Sequence, residues 1–276
     1  MIRGAAGLIL LTAAALAAAS PAAAQPIEPP SAAPTPAASD WRAVDPANAL
    51  LIETTKGRIV IELAPAIAPL AVARIKALTR RGYYDGSVFY RVLKGYMAQT
   101  GDKGARTFRS DLPNLKAEFT FRRTAATPYV SVGGIAGGDL GFVGATPVQL
   151  GADGEGWALY CPGAAAMPHY DDPNTANSQF FLMRRWAPSL EKTFTVWGRV
   201  VLGLDVVRAI DNGEPPPHPD RMTRVRVLAD VPAAERPEVK VLDLGGQAFA
   251  RLLQQAMQAR GPNFSLCDLD LTAPPS

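Results

Sequence analysis

The sequence predicts a mainly β protein: a closed antiparallel barrel capped by helices, followed by a C-terminal extension. Three observations carry that expectation. Short apolar runs of strand length recur along the chain, tight turns at Lys56-Gly57 and Lys94-Gly95 fold neighbouring runs back on one another, and only two or three segments place apolar residues at helical spacing.

The elements follow in order. Leu50-Leu51-Ile52-Glu53-Thr54 reads as a strand and Arg58 to Leu63 as its return, with Ile59, Ile61 and Leu63 on one face. Leu70 to Leu78 has helical spacing, Pro69 suits its first turn, and Gly82 ends it. Val88 to Leu93 and Tyr96 to Gln99 form a further strand pair about Gly95. Residues 103–163 are rich in glycine, as in GGIAGG and GADGEG, and read as long loops with short strands between them. The β signal returns in SQFFLM and FTVWGRVV. Gly203 to Ile210 is a short amphipathic helix, and Arg224 to Leu228 is a last strand. Beyond Pro232 the extension holds one helix, Gln247 to Arg260.

The N-terminus reads as a targeting segment. Met1-Ile2-Arg3 is a short positive start, Ala5 to Ala19 is apolar, and Ala22-Ala23-Ala24 offers small residues for cleavage before Gln25. The apolar run is shorter than the ~20 residues a spanning helix needs. A retained anchor is the competing reading. The segment QPIEPPSAAPTPAAS is a Pro/Ala tether that cannot build a core. The expected organisation is a signal peptide at 1–24, a linker at 25–40, a barrel domain at 41–230 and an extension at 231–276 docked on the barrel. The mature protein is expected in the periplasm, free of the membrane and monomeric. A net charge of +3, spread thinly, argues against a nucleic-acid surface. With only two cysteines, a four-cysteine zinc site is excluded, and no metal or cofactor is expected.

The chemistry rests on three strings. The first is FYRVLKGYMAQTGD, Phe89 to Asp102. Met97 and Gln99 share a face, and the hairpin can bring Arg91 across from them. Taken singly, each residue reads more plainly as a surface arginine with core neighbours. The second string is NSQFFL, Asn177 to Leu182. The third is SLEKTFTVWGRV, Ser189 to Val200. In this order they closely resemble the signature blocks of the cyclophilin family of peptidyl-prolyl cis-trans isomerases, over roughly Asn48 to Leu228. That resemblance implies an eight-stranded antiparallel barrel with two capping helices, acting on Pro-containing polypeptides. It implies that Arg91 is the catalytic arginine. It also implies that Met97, Phe181, Leu190 and Phe194 wall a proline pocket with Tyr96 at its edge, and that Gln99 and Gln179 hold the substrate backbone.

The physics of the reaction fits such a set. The amide rotation barrier is ~18–20 kcal/mol because the C–N bond has double-bond character. No bond breaks, so neither nucleophile nor metal is required; an apolar pocket grips the ring, and a permanently charged guanidinium favours the twisted state. This sequence departs from common members in three places. Tyr96 stands where Phe is commoner, Phe194 where many eukaryotic members have His, and Ser189 where they have Trp, the last expected to weaken cyclosporin binding more than catalysis. His169 reads as a loop histidine beside the groove rather than a base, since no proton is transferred. The alternative to an isomerase is a non-catalytic chaperone or binding module that holds Pro-containing chains in the same groove.

The cysteines, Cys161 in WALYCP and Cys267 in FSLCD, both sit among apolar residues outside the three strings. An oxidising compartment favours a disulfide between them, which would pin the extension to the 103–163 insertion. Two separate buried thiols is the competing reading.

Overall fold

The computed structural model describes Met1 and residues 36–101, 110–135 and 137–273. The expected leader beyond Met1 and the linker up to Thr35 lie outside the described residues. After a brief strand β1 (Trp41–Ala43), the apolar runs flanking Lys56 form the hairpin β2 (Ala49–Thr54) and β3 (Gly57–Leu63), in register Leu50↔Ile61 and Ile52↔Ile59. Helix α1 (Pro69–Arg80) follows, with Pro69 in its first turn. Its free N-terminal amides are satisfied from a distance: the Glu118 carboxylate accepts from Leu70 N at 3.0 Å and Ala71 N at 2.9 Å, where a negative group also meets the positive end of the helix dipole.

Strands β4 (Arg91–Leu93) and β5 (Met97–Thr100) turn about Gly95, whose φ of +60° suits a residue without Cβ. The insertion then contributes β6 (Phe121–Arg122), β7 (Tyr129–Ile135), β8 (Gly138–Val143), β9 (Thr146–Gly151) and β10 (Glu155–Ala158). These form a separate five-stranded antiparallel sheet in the order β6-β10-β9-β8-β7. The stretch read from sequence as loops with short strands is therefore a built layer. Glycine packing hides it: a Cβ on Gly141 would sit 2.3 Å from Val130 O, and one on Gly138 only 1.9 Å from Leu150 O.

The main sheet resumes with β11 (Ala164–Met167), β12 (Phe180–Met183), β13 (Thr195–Leu202), the short helix α2 (Leu204–Ala209) and β14 (Met222–Val227). Eight antiparallel strands then run β14-β2-β3-β13-β11-β12-β5-β4. The sheet curls until its edges meet, but the seam is a patch rather than a full ladder. An isolated bridge joins Val88 to Arg221, with Gly86 N donating to Met222 O at 2.7 Å and Phe89 N to Asp220 O at 2.8 Å. The interior is filled by Leu50, Ile52, Ile61, Phe89, Phe180 and Trp197, all without solvent exposure.

The extension begins with β15 (Lys240–Leu242), which pairs with β1, and continues into α3 (Gln247–Arg260). Val239 and Val241 pack with Leu51 and Val60, so β2 and β3 are buried on both sides at those positions. Helix α3 packs instead on the inserted sheet, with the Phe249 ring edge-on to Phe142 at 5.8 Å. In that second core the structure joins Cys161 to Cys267, Cα atoms 4.8 Å apart, closing a separation of 106 residues. Arg199 on β13 ties the layers together, donating to Ala145 O at 3.0 Å and Leu269 O at 3.2 Å; its burial pushes the guanidinium pKa down to about 10.

Loop-closure entropy sets an upper figure of ~4–5 kcal/mol for so long a loop. Cys161→Ser with Cys267→Ser is expected to cost several kcal/mol in denaturant unfolding of the oxidised protein and to leave the urea midpoint insensitive to reductant. Identical midpoints for wild type with and without reductant would contradict this.

Candidate active site

The β4–β5–β12 register sets the site. Arg91 lies opposite Gln99, Gln99 opposite Phe181, and Phe181 opposite Ala166, so one row crosses four strands. Residues directly opposite each other share a face, and period-two alternation adds Met97 to the same side. Arg91 Nη1 reaches Gln99 Oε1 at 3.4 Å, and its Nε donates to the Glu214 carboxylate. Both members of that ion pair are about half exposed.

Gln99 and Gln179 are buried and linked: Gln99 Nε2 donates to Gln179 Oε1 at 2.9 Å and to Tyr90 Oη at 2.6 Å, while the Tyr90 hydroxyl also bonds Gln179 Oε1. Gln179 Nε2 is buried and has no hydrogen-bond partner among the described residues. An orphan buried donor costs roughly 1–3 kcal/mol, so such groups persist where something else supplies the acceptor. Beside the pair lies a cleft of about 100 Å3 lined also by Asn177, Pro168 and His169. Asn177 shapes it from the other side: its Oδ1 accepts from Ser110 N and Oγ, both at 2.7 Å.

The apolar members form a neighbouring cluster. Met97 and Phe181 are almost fully buried, and Tyr96, Leu190 and Phe194 are partly buried against the same core. Phe181 meets Phe194 edge-on at 5.6 Å, and the His169 ring lies 4.8 Å from Phe194 and 5.4 Å from Phe119. Both His169 ring nitrogens face backbone carbonyls, of Tyr170 and, at 2.7 Å, of Thr193, so the ring acts as a strut in its loop. Tyr96 carries the Arg185 guanidinium 5.3 Å above its ring.

Several members of this neighbourhood were not legible beforehand. Glu214 is 123 residues from Arg91. It is delivered by Gly213, which exchanges two hydrogen bonds with Val92 (2.8 and 2.9 Å) and has no room for a side chain, since a Cβ would come 2.4 Å from Pro216. Arg184 fixes the same loop, donating to Asn212 Oδ1 at 2.6 Å and to the carbonyls of Val207 and Arg208 at 3.0 and 2.7 Å. Tyr90 lay within the first string without a role. Tyr160 and Trp157, from the insertion, donate to Phe194 O and to the Glu191 carboxylate. Among the described residues no cluster of His, Cys, Asp and Glu could hold a metal.

A curled eight-stranded antiparallel sheet with this row on one face defines the cyclophilin class of fold. The comparisons agree. The model of the cyclophilin-type peptidyl-prolyl cis-trans isomerase family matches residues 49–227. A probable peptidyl-prolyl cis-trans isomerase of Brucella suis is 34% identical over 193 residues, covering 68% of this chain and 86% of the relative. Its Brucella abortus counterpart is 33% identical over the same length. A crystal structure of a cyclophilin from Hirschia baltica superposes with a TM-score of 0.76 at 36% identity, covering 84% of this chain and 91% of that one. That match spans more of the chain than the family segment does, so it takes in residues beyond the barrel strings. The chain belongs to the cyclophilin family and is a peptidyl-prolyl cis-trans isomerase.

Phe181→Ala tests how far site and core are one structure. The ring is 5% exposed and packs on Phe194 and Tyr160, so truncation is expected to cost ~3–5 kcal/mol in urea unfolding and to weaken peptide binding together. Weaker binding with unchanged stability would place Phe181 outside the core.

Proposed function

We propose that this isomerase grips the proline ring between Met97, Phe181, Leu190 and Phe194, with Tyr96 at the rim, and lowers the rotation barrier with Arg91. The observation that carries the reading is the cross-strand row, which sets a guanidinium beside a buried amide pair and an apolar wall. In the planar amide the prolyl nitrogen lone pair is delocalised; in the twisted state it is localised and accepts a hydrogen bond. A donor held at that position binds the twisted state better than either planar isomer, which is what acceleration requires. Gln99 and Gln179 Nε2, which has no partner among the described residues, supply polar contacts for the backbone flanking the proline. Glu214 occupies Arg91 Nε and so leaves the terminal amino groups as the donors for substrate.

The substrates we infer are exported proteins. The support is the sequence of residues 1–24, with its positive start, apolar run and small residues before Gln25, together with a cysteine pair suited to an oxidising compartment. N-terminal sequencing of the exported protein should begin at Gln25; an intact Met1 on a membrane-bound product would make the segment an anchor.

Arg91→Ala is expected to lower turnover of an Ala-Pro peptide on the order of 10²-fold, the usual scale for removing one preorganised donor, with an unchanged thermal midpoint. Near-wild-type turnover by the folded variant would remove Arg91 from the mechanism. Peptide binding without turnover by the wild-type protein would favour a holding module instead.

A further inference from the structure

The 190–194 turn carries two members of the apolar wall, Leu190 and Phe194, and is closed locally by Glu191 N on Pro188 O at 3.2 Å and Thr193 Oγ1 on Leu190 O at 2.5 Å. Thr193 N donates to Leu190 O at 3.1 Å, and Lys192 adopts φ +59°, a left-handed conformation that a residue with a Cβ holds only when its surroundings impose it. Contacts from outside the turn hold it: His169 Nε2 faces Thr193 O at 2.7 Å, and the others come from the insertion. Trp157, on β10, donates its indole N–H to Glu191 Oε2 at 3.1 Å, and the Lys192 ammonium sits 3.6 Å from the centre of the same indole ring. Three residues later Tyr160, fully buried, donates its hydroxyl to Phe194 O at 2.8 Å and stacks on Phe181 at 6.4 Å. Burial pushes the Tyr160 phenol well above its usual value, so it remains a donor across the working range. Cys161, next in the chain, is bonded to the extension. Five consecutive residues thus run from one anchor in the second core to both halves of the turn.

We propose that Trp157 and Tyr160 are positioning residues that hold Leu190 and Phe194 in their binding geometry, and that the inserted sheet with its docked helix is the frame for this clamp. The proposal rests on the assignment of Leu190 and Phe194 to the proline pocket. Those side chains meet the ring in cis, trans and twisted states alike. Holding them in advance removes an ordering cost from binding, and its loss should appear in affinity rather than in the rate on the enzyme. A residue that merely supported the fold would give no such split.

The test uses the full mature chain and an Ala-Pro peptide. NMR titration gives the dissociation constant, and exchange spectroscopy between the cis and trans peptide signals gives the rate on the enzyme. Trp157→Phe and Tyr160→Phe each keep a ring and lose the hydrogen bond. Each is expected to weaken binding by about 3–10-fold, the scale of one lost neutral hydrogen bond, while the on-enzyme rate stays within about twofold. If Trp157→Phe does not fold, Glu191→Ala removes the acceptor while leaving the indole in place and is expected to give the same split. Unchanged affinity in the folded variants, or a rate that falls while affinity holds, overturns the clamp. Arg91→Ala, measured alongside, separates the two claims. Loss of rate there with normal binding in the Trp157 and Tyr160 variants overturns the clamp alone. A wild-type rate in Arg91→Ala overturns the assignment of the site.

Discussion

Everything at the site depends on one register, Arg91 opposite Gln99 opposite Phe181. Side chains alternate faces along a strand, so slipping β5 by one residue against either neighbour would turn Gln99 and Met97 into the barrel and Ala98 outward. Two features fix it. Gly95 lets the β4–β5 turn close with Tyr96 N on Leu93 O at 3.0 Å, and the barrel interior accepts only Val92, Ala98, Phe180 and Leu182, all of them buried. The packing that stabilises the barrel thereby decides that Arg91, Met97, Gln99 and Phe181 share its outer face with Ala166.

The outer layers are then extensions of the same logic. The outer faces of β2 and β3 carry Ala49, Leu51 and Val60 between charged residues, and Val239 with Val241 of β15 covers that apolar patch. The insertion caps α1 through Glu118 and reaches the pocket-side turn through Trp157. Arg199 shows the cost of joining layers. Its burial disfavours the charged form, and only carbonyls at 3.0 and 3.2 Å and the nearby charges of Asp270 and Glu62 offset that.

The barrel was legible because its strands are short apolar runs punctuated by turns, as in Ala49–Leu63, and helix α3 because fourteen residues from Gln247 to Arg260 keep one apolar stripe between a glycine on either side. The inserted sheet was not. Strand β7 has no buried residue and is glycine-rich, so it shows no clean alternation, and its partners impose the pairing. The motif strings bring Arg91, Gln99, Gln179 and Phe181 into one neighbourhood because they are successive strands of one sheet. Glu214, Trp157 and Tyr160 could not be found that way. Each acts through contacts with residues far off in sequence, and a glutamate, tryptophan or tyrosine in a loop or a short strand has a plain structural reading that nothing local displaces.

On the reading proposed above, this row of side chains is where an X–Pro bond is twisted. A crystal structure with an Ala-Pro peptide bound tests it most directly. The proline ring should lie among Met97, Phe181, Leu190 and Phe194, with an Arg91 Nη group within hydrogen-bond reach of the prolyl nitrogen or carbonyl. A peptide seated elsewhere on the barrel, or a ring in that pocket with the guanidinium turned away from the amide, would contradict it.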